Sequence, residues 1–381
     1  MQSMRLEGLS CVHRFCRFLG MAACLGLGWV VFGSAIQAGE IPLHLVMTDA
    51  KWVVHIDMDA LKKTELYRYL QENGQATGIF NLSFSIAKDE FKMDFTRCES
   101  LTFYGKMDDD DESWVGILKM PSAYRHEILG SLDKLAKDED SPLEKIPENK
   151  SWNGFEYDGE IGIYSPKRDL FIIGEADSAE KACQIATGKA PNAPSTLLQG
   201  LDAKAGPFVS LACVRGPDED SPLPDGIDFN LNLSNPMAKA YPNLAEALEA
   251  VRFGAITKGT VFVGETTNDF WLNMVLRTTN AASALQLHQT LTNFAALAGT
   301  LTATNREWRI LLEHLKIVPR GDAVSLSVIH PARVNGKSIY TGVIDAARDK
   351  TTPDPAAGDA KAGVKPSDAA ASPAKNKKGA P

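Results

Sequence analysis

The chain has 381 residues, of which 44% are hydrophobic, and a formal net charge of −8 at pH 7. The first 38 residues carry a net charge of +2 and residues 348–381 carry +3, so residues 39–347 carry −13. Such a body repels nucleic acid phosphates and anionic lipid headgroups, which argues against a nucleic-acid-binding protein and favours cationic partners. Its length suffices for one or two domains, each with a core of its own.

The N-terminal 38 residues have the layout of a secretory signal. An apolar run occupies residues 18–36, and the small residue Ala38 follows it. The run is preceded by three arginines: Arg5, Arg14 and Arg17. We therefore expect cleavage between Ala38 and Gly39 and a mature protein that is periplasmic or secreted.

Two other interpretations of this segment stay open. The apolar run is about as long as a membrane span, so an uncleaved anchor is the first alternative. Residues 21–24 weakly resemble a lipoprotein cleavage box ending at Cys24, which is the second. We favour cleavage, because glycines weaken the apolar helix and the polar Gln37 stands beside the small Ala38. No membrane span then remains in the mature chain.

Residues 52–58 predict the first strand, and Asp59 is expected to cap the helix that follows it. His55, Asp57 and Asp59 recur at period two, so an extended strand would point all three from one face. One imidazole and two carboxylates could hold a divalent metal. The simpler interpretation is that Asp59 caps the helix while His55 and Asp57 face water or a polar neighbour, because no second cluster completes the site. We therefore assign no metal ligand, no cofactor and no catalytic residue.

The rest of the first half alternates strands and helices. A hairpin is expected over residues 101–106 and 114–120, and a helix from Ser122 carries its apolar residues on one face. Three short strands follow at 155–157, 162–164 and 170–173. Asp177 and Glu180 then predict a capping box for another helix.

Residues 108–112 form the densest charge run, within the turn of the hairpin. They lack the central glycine and the distal glutamate of a calcium-binding EF-hand loop, and Lys119 occupies that last position. We interpret this run, like residues 218–220, as a solvated turn.

A stretch rich in glycine and proline, residues 187–207, predicts the boundary between a first half at 39–190 and a second half at 206–347. In the second half we expect strands at 208–214 and 227–233 and a helix over 243–251. A last helix at 308–315 leads to a strand at 324–329.

The second half resembles a diverged copy of part of the first. Residues 100–105 parallel 259–264, and residues 114–119 parallel 271–276. An amphipathic helix follows each hairpin, so we predict an internal duplication, against the alternative of a chance match between two hairpin–helix units. Trp114 and Trp271 fall at matching positions, which favours packing over stacking on sugars.

From Arg348 to Pro381 the chain is low in complexity and rich in proline, alanine and lysine. It contains no aromatic residue and too few aliphatic side chains to offset its chain entropy, so we predict a disordered tail.

Three of the six cysteines remain after cleavage: Cys98, Cys183 and Cys213. We expect small buried side chains, with one disulfide as the alternative in an oxidising compartment. The pattern Ser-x-x-Lys occurs four times, once in the tail, and is background. The mature chain has no Gly-x-Ser-x-Gly elbow, phosphate loop, dinucleotide fingerprint or zinc-protease helix.

Residues 53–59 read Val-x-His-x-Asp-x-Asp, and residues 102–105 read Thr-x-Tyr-Gly. With the signal and the second similar half, this layout resembles a loose group of uncharacterised bacterial exported proteins, over most of residues 50–345. The resemblance implies no activity, no cofactor and no catalytic residues.

We therefore expect an α+β fold in which antiparallel sheets carry helices on one face, in two related halves. The predicted function is a non-catalytic protein of the bacterial envelope that binds an unknown protein or small ligand, and not nucleic acid. The alternatives are an exported hydrolase with a dispersed active site, whose residues would converge only in the fold, and a structural or assembly role.

Overall fold

The computed structural model describes residues 42–72, 93–106, 113–138, 141–147, 152–192, 197, 207–214, 256–266, 268–301, 306–334, 337–338 and 340. Several predicted features lie outside these residues: the signal with Ala38 and Gly39, both acidic turns, the strand at 227–233, the helix at 243–251 and the tail.

The described strands of both halves form one twelve-stranded antiparallel sheet, beside a separate two-stranded pair. The first half contributes β1 Trp52–Asp57, β2 Ser100–Gly105, β3 Trp114–Lys119, β4 Leu143–Lys145, β5 Asn153–Tyr157, β6 Ile161–Lys167 and β7 Leu170–Glu175. The second half contributes β8 Val209–Val214, β9 Ile256–Glu265, β10 Asp269–Thr278, β11 Lys316–Arg320 and β12 Ala323–Pro331, with β13 Arg333–Val334 and β14 Lys337–Ser338 as the separate pair.

The strand order is β11-β12-β10-β9-β8-β1-β2-β3-β7-β6-β5-β4, so the pairing of β1 with β8 joins the halves. This confirms the α+β class with an antiparallel sheet. Read outward from the junction, β1-β2-β3-β7-β6 has the same order as β8-β9-β10-β12-β11. The duplication itself stays a prediction.

The register places the two matched tryptophans on opposite faces of the sheet. Directly paired residues of antiparallel strands share a face, and the pairing can be followed from strand to strand. Trp114 pairs with Gly105 and thus lies with Trp52, whereas Trp271 pairs with Gly264 on the other face. The positions predicted to be equivalent are therefore not equivalent, because a shift of one residue reverses every side chain of a strand.

Six α-helices and one 3-10 helix, Phe95–Arg97, accompany the sheet in the described part of the chain. The α-helices are α1 Met58–Leu61, α2 Glu65–Glu72, α3 Ser122–Leu135, α4 Ala176–Ala186, α5 Ala281–Leu301 and α6 Arg306–Glu313. In α3 the spacing of Tyr124, Ile128 and Leu132 places three buried side chains on one stripe, as predicted. The capping box predicted for α4 is wrong. The helix begins at Ala176, and the side chain of Glu175 accepts a hydrogen bond from the Ser178 hydroxyl at 2.9 Å.

The sheet buries apolar side chains on both faces. Face 1, which includes Val54, Leu101 and Val261, packs against α1, α2 and α3, and α5 covers its far end in the second half. Face 2, which includes Val53 and Tyr104, packs against α4 and the segment 43–50.

Helices were expected on one face only, and α4 departs from this. Neighbouring residues of β7 explain the departure: Phe171 and Ile173 project to face 1, and Ile172 projects to face 2. A strand that is apolar on both sides is stable only when both sides are covered.

Both outer strands of the sheet were missed in the sequence. At one edge β4 is three residues long and includes Glu144 and Lys145. At the other, β11 contains Pro319 between exposed Lys316 and Arg320. Short length, charge and proline all disfavour the addition of a further strand.

Candidate functional site

One continuous row of paired residues crosses ten strands on face 2. From the first half to the second it reads Tyr164, Ile172, Ile117, Thr102, His55, Ser210, Phe262, Asn273, Ser327 and Lys316. The row is apolar at its start, polar from Thr102 to Ser210 around the junction of β1 and β8, apolar again at Phe262, and polar and cationic at its end. It therefore contains the predicted His55 and connects it to residues that the sequence did not single out.

His55 lies at the centre of this row and is only 1% exposed. Its Nδ1 lies 2.8 Å from Oγ1 of Thr102, within hydrogen-bond distance, and its Nε2 has no hydrogen-bond partner within the described part of the chain. Burial lowers the pKa of His55 to about 4, although the nearby Asp57 carboxylate raises it. The imidazole is therefore neutral at pH 7.

Asp57 and Asp59 do not join His55 in a metal site. Strand β1 ends at Asp57, whose Oδ1 accepts a hydrogen bond from the Ala60 backbone at 2.8 Å and so caps α1. Asp59, predicted as the cap, lies within the helix, where its exposed carboxylate pairs with Lys62 at 3.1 Å. Among the residues the structure describes, no three His, Cys, Asp or Glu side chains are grouped to hold a metal ion.

Ser210 is directly opposite His55 on β8 and is equally buried. Its hydroxyl has no hydrogen-bond partner among the described residues. A serine, a histidine and an aspartate are thus near one another, yet they do not form a hydrolase relay. Thr102 occupies the Nδ1 side of the imidazole, where a relay needs the carboxylate, and the Asp57 carboxylate caps a helix.

A second contact between the halves lies at the start of α2. The buried carboxylate of Glu265, at the end of β9, accepts a hydrogen bond from the Glu65 backbone at 2.9 Å and another from the Tyr340 hydroxyl at 3.4 Å. Arg333 also reaches Glu65, at 2.7 Å between Nη2 and Oε1. The second half thus supplies acceptors and donors to a helix of the first.

In the second half, face 2 is exposed on its three outer strands. None of the helices described packs against this surface, which we call the open face. Ile329 is 61% exposed and Val318 is 42% exposed, and the ring of Trp271 is half-buried over Gly264. The open face consists of Trp271, Asn273, Val275 and Arg277 of β10, Ser325, Ser327 and Ile329 of β12, and Lys316, Val318 and Arg320 of β11.

Cations gather at one end of the open face. Arg320, Ala323, Arg277 and Lys258 are paired successively across β11, β12, β10 and β9. Burial and the neighbouring Arg277 guanidinium lower the pKa of Lys258. Like charges directly opposite each other destabilise a sheet, and the Asp322 carboxylate, 3.0 Å from Arg277, offsets the charge of that guanidinium.

The open face could not be found in the sequence by its residue types alone. Alternation is visible, since Ser325 and Ser327 flank Leu326, and it indicates that one side of that strand is polar. Which strands lie side by side, and therefore which polar residues share a surface, depends on pairing between segments far apart in the chain.

A further tryptophan, Trp152, and two of the three cysteines described are buried. The Lys189 ammonium lies 4.5 Å from the ring centroid of Trp152. Cys98, Cys183 and Cys213 are free thiols, and the first two are buried. Burial raises the pKa of Cys98 to about 12, which keeps it protonated.

No protein-family model and no curated protein matches the chain. Solved structures with distant similarity are crystal forms I and III of TP0453, at 11% and 10% identity and TM-scores of 0.43 and 0.42. Each alignment covers 81% of this chain and 98% or 99% of the TP0453 chain. Over the residues described, no helix is both long and apolar enough to cross a membrane.

Proposed function

We propose that this chain is an exported, non-catalytic protein of the bacterial envelope that binds a partner through the open face. The observation that carries the proposal is the exposure of apolar side chains on a surface of the sheet. Ile329 and Val318 project from paired strands whose other side is packed against α5, so the surface is formed before a partner arrives. A preformed surface loses little entropy on binding.

The two edges of the sheet are poorly suited to pairing with an added strand, which favours binding of the partner to the open face instead. Pro319 and the flanking charges of β11 hinder the pairing of an added strand, as does the shortness of β4. Export rests on the N-terminal signal pattern of the sequence. No observation in the described part of the chain favours the alternative of an exported hydrolase.

Residue-specific photocrosslinking in the native host tests this proposal. A benzophenone amino acid replaces Ile329 on the open face in one strain and Leu285 on α5 in another, with the chain exported by its own signal. Leu285 is a matched control because it is 59% exposed. We expect position 329 to yield a discrete adduct that position 285 does not yield.

A second variant gives the same test without the crosslinker. The substitution Ile329→Asp should abolish co-purification of the adduct's partner, whereas Leu285→Asp should leave it unchanged. Equal adducts at both positions, or a partner retained by Ile329→Asp, would contradict the assignment of the binding surface to the open face.

A further inference from the structure

Resting on the proposed function, we infer that the open face recognises an extended acidic segment of a partner protein, in which two carboxylates four residues apart flank an apolar side chain. The inference follows from the order of side chains along β11, from the cations beside it and from the small size of the surface.

Strand β11 presents a cation, an apolar residue and a cation in succession on the open face. Lys316, Val318 and Arg320 are separated by two residues each and are all exposed. Alternate residues of a strand are about 7 Å apart, so the two cations are separated by roughly 13 Å with Val318 between them. An extended peptide has the same spacing and can therefore match all three side chains.

The two cations of β11 lack ion-pair partners within the described part of the chain, whereas Arg277 is bound by Asp322. Arg277 lies on the same row as Arg320, two strands further in. An entering carboxylate would be attracted by Lys316 and Arg320, and a guanidinium can bind it through two hydrogen bonds.

The size of the open face suits a peptide better than a whole domain. Three strands about 5 Å apart and about seven residues long cover roughly 200–300 Å². Stable complexes between folded domains bury about 800 Å² on each partner. A second copy of the chain is disfavoured because it would bring the same cations face to face. Nucleic acids and anionic lipid surfaces extend well beyond the open face and would meet the −13 charge of residues 39–347, which repels them, whereas a short acidic segment meets mainly Lys316 and Arg320 because more distant charges are screened by salt.

The test is fluorescence anisotropy with the full mature chain and a fluorescein-labelled peptide of repeating Glu-Ser-Val-Ser. We expect saturable binding that weakens with added salt, and no binding of the peptide in which lysine replaces glutamate. The variant Lys316→Glu/Arg320→Glu should raise Kd at least about tenfold.

A matched variant separates local charge from net charge. Lys134→Glu/Lys137→Glu changes two exposed lysines at the end of α3 and shifts the net charge by the same amount, and it should leave Kd unchanged. An equal loss of peptide affinity in both variants would overturn the inference, because the peptide would then be attracted by net charge and not by the open face. So would undiminished binding of a peptide with the same residues in scrambled order.

Vesicles containing phosphatidylglycerol test the alternative ligand, an anionic lipid headgroup. If they bind in a manner that requires Lys316 and Arg320 while the peptide does not bind, the face recognises lipid headgroups and the acidic polypeptide is excluded. The two proposals fail separately. A crosslink at position 329 without peptide binding removes only this inference, whereas loss of the specific crosslink removes the proposed function.

Discussion

The five strands nearest the junction have the same order in both halves of the sheet, yet the halves use face 2 in opposite ways. In the first half, β3, β7 and β6 place Ile117, Ile172 and Tyr164 in the central row, and all three are buried. In the second half, the corresponding strands β10, β12 and β11 place Asn273, Ser327 and Lys316 there. Strand order alone therefore does not decide which side of a sheet becomes core.

This difference between the halves depends on the segment that comes after β7 in the first half and after β12 in the second. Helix α4 follows β7 directly and returns over face 2, where its own Ala182 and Cys183 pack against the sheet. In the second half β12 is followed, in the described chain, by the short strands β13 and β14. The side chains agree with this: apolar ones are present where a helix removes them from water, and polar ones where water or a partner can reach them.

The largest expected effect comes from placing a charge at matched positions of the row. Ile172→Asp buries an unpaired carboxylate and should lower the free energy of unfolding by more than about 4 kcal/mol. Ser327→Asp, on the open face, should change it by less than about 0.5 kcal/mol. Urea denaturation measures both, and similar losses in the two variants would mean that the open face is part of the core.

At the junction, His55 should make stability depend on pH. Its pKa falls from 6.5 when unfolded to about 4 when folded, so the unfolded chain binds the proton first. The stability that depends on a neutral His55 is fully present above pH 6.5. As the pH falls from 6.5 towards 4, the free energy of unfolding decreases by about 3 kcal/mol in total. His55→Gln lacks the titrating group and should show a flatter profile between pH 7 and 4. Parallel profiles for the two proteins would show that the imidazole titrates normally.

The contact between Glu265 and α2 should contribute less to the free energy of unfolding than Ile172 and His55 of the row on face 2. Glu265→Ala leaves the Glu65 backbone and the Tyr340 hydroxyl without this acceptor, which should cost about 2 kcal/mol. Arg333→Ala removes an exposed pair with Glu65 and should cost less than about 1 kcal/mol. Thermal unfolding compares them, and a larger effect of Arg333→Ala would reverse the importance we assign to the two contacts.

The smallest effect is expected on the open face itself. Val318→Ser removes an exposed apolar side chain and should change the free energy of unfolding by less than about 0.5 kcal/mol, while weakening the peptide binding proposed above. Chemical denaturation and anisotropy of the same variant separate the two effects. A large loss of stability would show that Val318 packs in the native state.

Local features of the fold could be predicted from the sequence, whereas the site could not. The strands around Val53, Phe103 and Ile172 and the helix with Ile128 follow from periodicity, because a strand or a helix repeats within a few residues. The cap at Asp59 and the box at Asp177 were wrong by a few residues, since several acidic side chains near a helix start can serve as caps. His55 was found, but its neighbours Thr102 and Ser210 come from segments 47 and 155 residues away.

By itself, the sequence determined the α+β class, the antiparallel hairpins and the amphipathic helix after each hairpin, because these depend on alternation between neighbouring residues. Only the tertiary structure decided that both halves share one sheet, that Trp114 and Trp271 point to opposite faces and that α4 covers face 2 of one half. Each of these depends on register and order between distant strands. A shift of one residue in register moves every side chain to the other face, and no local pattern specifies it across such separations.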